Sequence, residues 1–188
     1  MSEHLYFLFL GLIALERGVE LWLSRRNAAW ARARGGVEYG SGHLLWMKAL
    51  HTAFLCGCAL EVWLSGRQFS PLWGWPCLGL ALGSQGLRYW TIASLGRRWN
   101  IGVIVLPGVP VEVGGPFRYL RHPNYLAVVI EGFAIPLVHS AFLTAAVFTA
   151  CNALLLSVRV RCEERALLLH GSYADRLGDR RRFWPGRA

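Results

Sequence analysis

The sequence predicts an all-α integral membrane protein with about five transmembrane helices and a C-terminal helical hairpin. Hydrophobic residues make up 54% of the 188 residues and charged residues only 16%, whereas average globular chains carry about 25% charged residues. Long apolar runs alternate with short polar segments, and the basic residues collect in the polar segments. This combination is typical of a membrane protein with basic loops.

The apolar runs are long enough to cross a hydrocarbon core of about 30 Å at 1.5 Å per helical residue. The predicted spans are residues 4–23, 44–64, 72–93, 125–138 and 141–158. The last two form the hairpin, because a single straight helix through residues 125–157 would be about 50 Å long. Pro136 and the His139-Ser140 pair mark its turn.

Two polar connections have distinct predicted structures. Residues 24–43 are basic at their start and glycine-rich at their end, so we interpret them as an interfacial helix followed by a loop. Residues 101–105 are bounded closely by Gly and Pro and are predicted to form a short strand. We treat the chain as one membrane-embedded domain, with three spans in 1–93 and the hairpin in 94–188.

The distribution of positive charge predicts the orientation. Segments 24–48, 88–124 and 159–187 contain 18 of the 20 Lys and Arg residues, and five spans place all three segments on one side. By the positive-inside rule this side is cytoplasmic. We therefore expect a membrane protein with its N-terminus outside and its C-terminus inside.

The composition also argues against nucleic-acid-binding, metal-binding and disulfide-stabilised proteins. The net charge of +9 raises nucleic acid as a partner, but the arginines lie between apolar runs and form no single basic face, so we expect no nucleic-acid binding. The five cysteines form no CxxC pair and lie in or beside apolar stretches. We therefore predict packing roles for them, without a metal site or a disulfide framework.

Two polar clusters flank the hairpin: residues 115–125 (GPFRYLRHPNY) and residues 159–165 (RVRCEER). The hairpin returns both to the cytoplasmic face, where we expect them to form one cofactor site. Arginine can take a carboxylate in bidentate fashion, glutamate can take hydroxyls or an amine, and an aromatic ring can face a cation. The alternative is a surface salt-bridge ladder, with Arg159–Glu163 at i, i+4 and Arg161–Glu164 at i, i+3.

Four features together resemble the isoprenylcysteine carboxyl methyltransferase family. They are the Arg-His-Pro-Asn-Tyr sequence at 121–125, the apolar hairpin, the Glu163-Glu164 pair and the later Tyr173. The resemblance covers about residues 85–180 and implies an integral membrane enzyme that uses S-adenosylmethionine. Residues 16–40 and 88–100 are similar to a bacterial branch that includes type III polyketide synthase-associated O-methyltransferases of alkylpyrones or alkylresorcinols, which implies a bacterial inner (plasma) membrane. In the family a glycine or other small residue usually follows shortly after the motif tyrosine. Here the bulky Leu126 follows first, before Ala127, which predicts a local difference in cofactor packing.

The resemblance implies that the cofactor contacts Tyr119, Arg121, His122, Pro123, Tyr125, Glu163 and Glu164. The second polar cluster adds Arg159 to these candidate cofactor-binding residues. A carboxylate or an acidic hydroxypyrone acceptor arrives ionised, whereas a resorcinol hydroxyl, with a pKa near about 10, needs a general base. The candidates for that catalytic base are His122, Glu16 and Glu20. The candidate substrate-binding residues are Arg17, Arg88, Trp90, Trp99 and Asn100. The alternatives are interfacial anchoring for the tryptophans and an ion-paired helix end for Glu16, Arg17 and Glu20.

We therefore expect an S-adenosylmethionine-dependent O-methyltransferase whose lipophilic acceptor enters from the bilayer. That acceptor is either an alkylpyrone or alkylresorcinol hydroxyl or an isoprenylcysteine-like carboxylate. One alternative is an NADPH-dependent membrane reductase of sterols or other lipids, since those enzymes carry a similar C-terminal pattern. Another is a non-catalytic scaffold or lipid-binding subunit, which would leave both charged clusters without a role.

Overall fold

A computed structural model describes residues 1–170 and 173–183, and these residues are mostly helical. Five long helices and a short sixth occur in this part of the chain. They are α1 (Glu3–Arg32), α2 (Gly42–Ser65), α3 (Pro71–Leu95), α4 (Pro123–Leu137), α5 (Phe142–His170) and α6 (Tyr173–Leu177).

The membrane-spanning character is clearest for two of these helices. Within the described residues, α2 and α5 are long and apolar enough to cross a membrane, and α4 is a shorter apolar helix. Helices α1 and α3 coincide with predicted spans but carry the buried charged residues Glu20 and Arg88. The predominantly helical fold is confirmed, and five membrane crossings stay a prediction.

The first helix is longer than the sequence predicted. The segment from residue 24, interpreted as a separate interfacial helix, continues α1 without a break to Arg32. Ser24 and Asn27 face inward: the Ser24 Oγ accepts a hydrogen bond from the Ile101 backbone N at 2.9 Å, and the Asn27 Nδ2 donates to the Trp99 carbonyl at 2.8 Å. These bonds hold the loop after α3 against the last turns of α1.

A small antiparallel sheet forms where the loop after α3 lies near the end of α1. The predicted strand at 101–105 is confirmed as β2 (Val103–Val105), and its partner is β1 (Val37–Tyr39) from the segment predicted to be a loop. The register pairs Val37 with Val105 and Tyr39 with Val103. The fold is therefore not purely α-helical, and the sheet closes the end of the bundle where α1 and α5 also contact it.

The predicted helical hairpin is confirmed. Helix α4 begins with Pro123 at its first position and ends beyond Pro136, and Ser140 in the turn has a left-handed φ of 62°. The second arm was predicted to end near residue 158, but α5 continues to His170. The additional turns extend past the start of α4.

The apolar core lies between the hairpin and the first three helices. The Tyr6 hydroxyl donates to the Ile135 carbonyl at 3.1 Å, which ties α1 to α4, and the Phe54 and Phe148 rings pack 4.2 Å apart between α2 and α5. Gly132 permits close packing of α4 on α5, because a Cβ there would overlap the Phe148 ring.

The turn of the hairpin is held by groups from outside it. The Glu61 carboxylate accepts hydrogen bonds from the Leu143 N at 3.0 Å and from the Thr144 N at 2.7 Å, so it caps the otherwise unpaired amino end of α5. Arg67 donates to the Ser140 carbonyl at 2.7 Å and pairs with Glu61 at 3.3 Å.

Replacing Glu61 with alanine should therefore destabilise the fold. The loss of a cap costs about 1–2 kcal/mol in the free energy of unfolding, which chemical denaturation in detergent micelles would measure. The exposed Asp179→Ala variant is the control and should change stability by less than about 0.5 kcal/mol. Equal effects of the two substitutions would show that Glu61 does not cap α5.

Candidate functional site

The hairpin brings the two polar clusters into contact, as the sequence predicted. The His122 Nε2 lies 3.2 Å from the Glu164 Oε1, its Nδ1 lies 4.0 Å from the Glu163 Oε1, and the Tyr125 hydroxyl donates to Glu163. His122 precedes Pro123, which keeps it out of the helical conformation (φ −127°, ψ 62°). The His122 and Tyr125 rings stack with their centroids 5.3 Å apart.

The two adjacent glutamates have different surroundings. Glu164 is buried and accepts hydrogen bonds from Tyr173 at 3.2 Å and from Arg182 at 2.9 and 2.6 Å, while Arg121 pairs with it at 3.6 Å. This convergence of donors with His122 favours the ionised carboxylate. Glu164 therefore anchors the C-terminal segment.

The charge of Glu164 affects two groups of the C-terminal segment, Tyr173 and Arg182. Burial, followed by the negative charge of Glu164, raises the pKa of the Tyr173 hydroxyl well above its usual value. The hydrogen bond to Glu164 raises the pKa of the Arg182 guanidinium. Tyr173 therefore stays a neutral donor and Arg182 a cation throughout the physiological pH range. Backbone hydrogen bonds from Arg121 to Arg181 and from His122 to Arg182 complete the attachment.

One cavity, which we call the loop cavity, lies between the chain after α3 and the amino end of α4. It includes most of the predicted site: among its lining residues are Arg121, His122, Pro123, Tyr125, Arg159, Glu163, Trp99 and Asn100. Two of its polar atoms, the Asn100 Oδ1 and the Asn124 Oδ1, are buried and have no hydrogen-bond partner in the described part of the chain. Such orphaned acceptors favour a ligand that donates hydrogen bonds.

A second cavity, the bundle cavity, extends between the helices and has a volume of about 350 Å³. Its walls are mainly apolar, and its charged groups are Arg17, Glu20, Lys48, Arg88 and Arg159. The two cavities share four lining residues: Trp99, Asn124, Tyr125 and Arg159. A molecule in one cavity would therefore meet a molecule in the other at this shared wall.

Arg159 at the shared wall is a buried cation held by neutral groups. Its Nε donates to the Tyr125 hydroxyl at 3.1 Å, and its Nη2 donates to the Ile101 carbonyl. The pair with Glu163 that the alternative salt-bridge ladder requires does not form, and no carboxylate of the described residues lies within 4 Å of Arg159. Because a buried charge is costly without a counter-ion, this position favours an anionic group on a ligand.

Charged residues predicted to form a polar wall belong to a buried network across three helices. Arg17 pairs with Glu20 at 2.8 Å and with Glu16 at 3.1 Å on α1, and Arg88 of α3 pairs with Glu131 of α4. The side-chain amide of Gln85 also donates to Glu16 at 2.8 Å. The network connects α1 to α3 and α4, so it is more than an ion-paired helix end.

The sequence reasoning did not select Glu131 and Gln85 as site residues. The available signal was Glu131 as a lone carboxylate in the apolar run 125–157, which requires a buried cation as its partner. Within the network Glu20 lines the bundle cavity, whereas Glu16 does not, and the Glu20 Oε1 has no hydrogen-bond partner among the described residues.

Four predicted site residues, Glu16 among them, lie outside both cavities. Trp90 and Tyr119 are 47% and 53% exposed, and their ring centroids lie 6.4 Å apart on the surface. Glu164 also lies outside both linings, since it faces the C-terminal segment. The predicted roles of Trp90 and Tyr119 therefore have no support from the geometry of the cavities.

Comparisons with known proteins agree with this architecture. Residues 77–169 match the profile of the isoprenylcysteine carboxyl methyltransferase (ICMT) family. The uncharacterized protein YpbQ of Bacillus subtilis (strain 168) is 36% identical over 166 residues, which cover 87% of this chain and 96% of the relative. An uncharacterized protein of Haemophilus influenzae (strain Rd) is 27% identical over 154 residues, which cover 80% of this chain and 88% of the relative.

Replacing Glu164 with glutamine should loosen the C-terminal segment. The substitution removes the charge that holds Arg182 and Arg121, so amide hydrogen exchange over residues 173–183 should become at least tenfold faster. Glu163→Gln is the matched control, because Glu163 bonds to Tyr125 and not to the C-terminal segment. Equal exchange in wild type and Glu164→Gln would contradict the anchoring role.

Proposed function

The chain belongs to the isoprenylcysteine carboxyl methyltransferase family, whose members are membrane methyltransferases, and from this premise we propose that it is an S-adenosylmethionine-dependent O-methyltransferase of a lipophilic acceptor. The observation that supports this most strongly is the pair of cavities that meet at Trp99, Asn124, Tyr125 and Arg159. One is a polar cavity beside the connecting loops, and the other is an apolar cavity between helices. Donor and acceptor would each occupy one of them.

The residues of the loop cavity fit the proposed cofactor. The orphaned Asn100 and Asn124 oxygens are suited to accept hydrogen bonds from its amines or hydroxyls, and the partly exposed Glu163 is suited to do the same. Arg159 offers an unpaired cation for a carboxylate. The cavity is about 170 Å³, smaller than the usual 300 Å³ or more of a small-molecule site, so we expect the loop around residues 106–113 to move outward on binding.

The bundle cavity fits a molecule with an alkyl tail. Its apolar walls would bury the tail, and its charged groups would meet the polar head near the shared wall. We propose an alkylpyrone or alkylresorcinol hydroxyl, or an isoprenylcysteine-like carboxylate, as the methylated group. Access from the bilayer suits both, and the charge distribution of the sequence supports an active site at the cytoplasmic face of a bacterial inner membrane.

The bound cofactor would supply an electrophilic methyl group, which the acceptor oxygen takes in an in-line displacement. The protein must align the two molecules and exclude water. For a resorcinol hydroxyl acceptor the chain must also accept a proton. Glu20 is the best placed of the three candidates, because it lines the bundle cavity and Glu16 does not. The Oε1 of each glutamate has no hydrogen-bond partner in the described chain. His122 lies in the loop cavity and is held by Glu164, and Glu16 is held by Arg17 and Gln85.

The family supports a methyltransferase over the NADPH-dependent reductase. Isothermal calorimetry on detergent-purified protein would test the choice. We expect micromolar binding of S-adenosylhomocysteine and no response to NADPH. His122→Ala and Glu163→Ala should abolish this binding, whereas the exposed Asp179→Ala should leave it unchanged. Wild-type affinity in the first two variants would refute the proposed cofactor site.

Glu20→Gln should separate binding from catalysis. We expect unchanged affinity for S-adenosylhomocysteine and a fall of 10²-fold or more in kcat for a resorcinol acceptor, which is the usual contribution of a general base. For a carboxylate or hydroxypyrone acceptor the same variant should lose little activity, because no proton has to be removed. The acceptor for this assay has to be identified first. The protein is incubated with membrane lipid extracts and with cofactor labelled at the methyl group, and the labelled product is then identified.

A further inference from the structure

The described part of α5 beyond Val158 presents two chemically different faces. Glu163 and Glu164 face the loop cavity and the C-terminal segment, whereas Arg161 and Arg165 lie one helical turn apart on another face. The pair of Arg161 with Glu164 that the alternative salt-bridge ladder requires does not form. Within residues 1–170 and 173–183, neither arginine has a carboxylate within 4 Å.

These two arginines line a third cavity, the basic cavity, of about 480 Å³. Its lining residues are Tyr39, His43, Val158, Arg161, Cys162, Arg165, Ala166 and Leu169. The lining contains two arginines and no carboxylate, so its field is positive. It lies on the opposite side of α5 from Glu163 and shares no lining residue with the loop or bundle cavity.

The walls of the basic cavity are held in place by contacts outside it. The Tyr39 hydroxyl hydrogen-bonds to the His170 ring. The backbone at Gly40 packs closely on two lining residues, since a Cβ there would lie 2.8 Å from the Cys162 Sγ and 2.9 Å from the His43 Nδ1. Gly40 also has a φ of +61°, which favours glycine.

The arginines retain donors for a ligand. The Arg161 Nε donates to the Ser157 carbonyl at 2.9 Å and its Nη2 to the Ser157 Oγ at 3.2 Å, which fixes the guanidinium and leaves its Nη1 unbonded among the described residues. No hydrogen bond of Arg165 occurs in the same part of the chain. An oxyanion with several acceptor oxygens is the group that two such guanidinium ions bind best.

The surface of α5 next to this cavity indicates what carries the oxyanion. By helical spacing, Val147, Leu154 and Val158 lie on the same stripe as Arg161 and Arg165. The three apolar side chains are 53%, 73% and 41% exposed. In the proposed orientation this stripe leads from the hydrocarbon core to the cytoplasmic interface, so it matches an acyl chain followed by a phosphate.

We propose that the basic cavity binds the phosphate group of an anionic glycerophospholipid of the inner leaflet. The two arginines would neutralise the phosphate, and the apolar stripe would contact an acyl chain. A free phosphate ion would satisfy only the arginines and would leave the leucine and valine side chains uncovered. Anionic lipids also collect at cytoplasmic surfaces that carry basic residues. The site would act as a structural lipid site beside the region where β1 and α5 meet.

Native mass spectrometry and thermal melting of the full chain in detergent would test this, with phosphatidylglycerol, phosphatidylcholine or inorganic phosphate added. We expect phosphatidylglycerol to bind and to raise Tm. The Arg161→Gln/Arg165→Gln double variant should bind it at least tenfold more weakly. The control is Arg25→Gln/Arg97→Gln, which removes the same charge from exposed positions on the same predicted side and should bind within twofold of wild type.

Three results would overturn the proposal. Equal losses in the two double variants would show that net charge, and not the cavity, attracts the lipid. Equal protection by phosphatidylcholine would remove the need for an anionic headgroup, and equal protection by inorganic phosphate would show an anion site without a lipid. Circular dichroism of both variants shows whether they remain folded. The outcome of the lipid-binding test does not depend on the proposed methyltransferase function, because the basic cavity shares no lining residue with the other two cavities.

Discussion

The fold-back of α4 onto α5 is the constraint on which the site depends. The arms are unequal: α4 has 15 residues and α5 has 29, which correspond to about 22 Å and 43 Å. The second arm therefore extends past the start of the first, where its polar residues meet His122 and the loop before it. Glu61 and Arg67 hold the turn from outside the hairpin, so the alignment of the arms is fixed at the end remote from the site.

The extension of α5 places different chemistry on each of its sides. Glu163 is available to the loop cavity, Glu164 holds the C-terminal segment, and Arg159 lies at the wall between two cavities. Arg161 and Arg165 face away from all of these. One run of seven residues thus contributes to a proposed cofactor site, a structural anchor and a proposed lipid site, because successive helical residues are rotated by about 100°.

Stability alone does not explain the network of charged residues that joins α1, α3 and α4. Arg17, Arg88, Glu16, Glu20 and Glu131 contribute three negative and two positive formal charges in a region of apolar helices. Buried ion pairs often stabilise a fold no better than apolar residues of similar volume, and ionisable groups at membrane depth usually serve a function. The position of Glu20 on the bundle cavity agrees with a role in acceptor chemistry.

The helical hairpin, the short strand near residue 103 and the contact of His122 with Glu163 and Glu164 were predictable from local signals. These signals are apolar length, proline positions, and the requirement that a hairpin return the chain to its starting face. No local signal predicted that α1 continues to Arg32, that β1 pairs with β2, or that Gln85 joins the charges of α1. The same holds for Arg159, which bonds to Tyr125 and not to Glu163. Helical spacing determines which residues share a face, but the packing of neighbouring helices determines what each face meets.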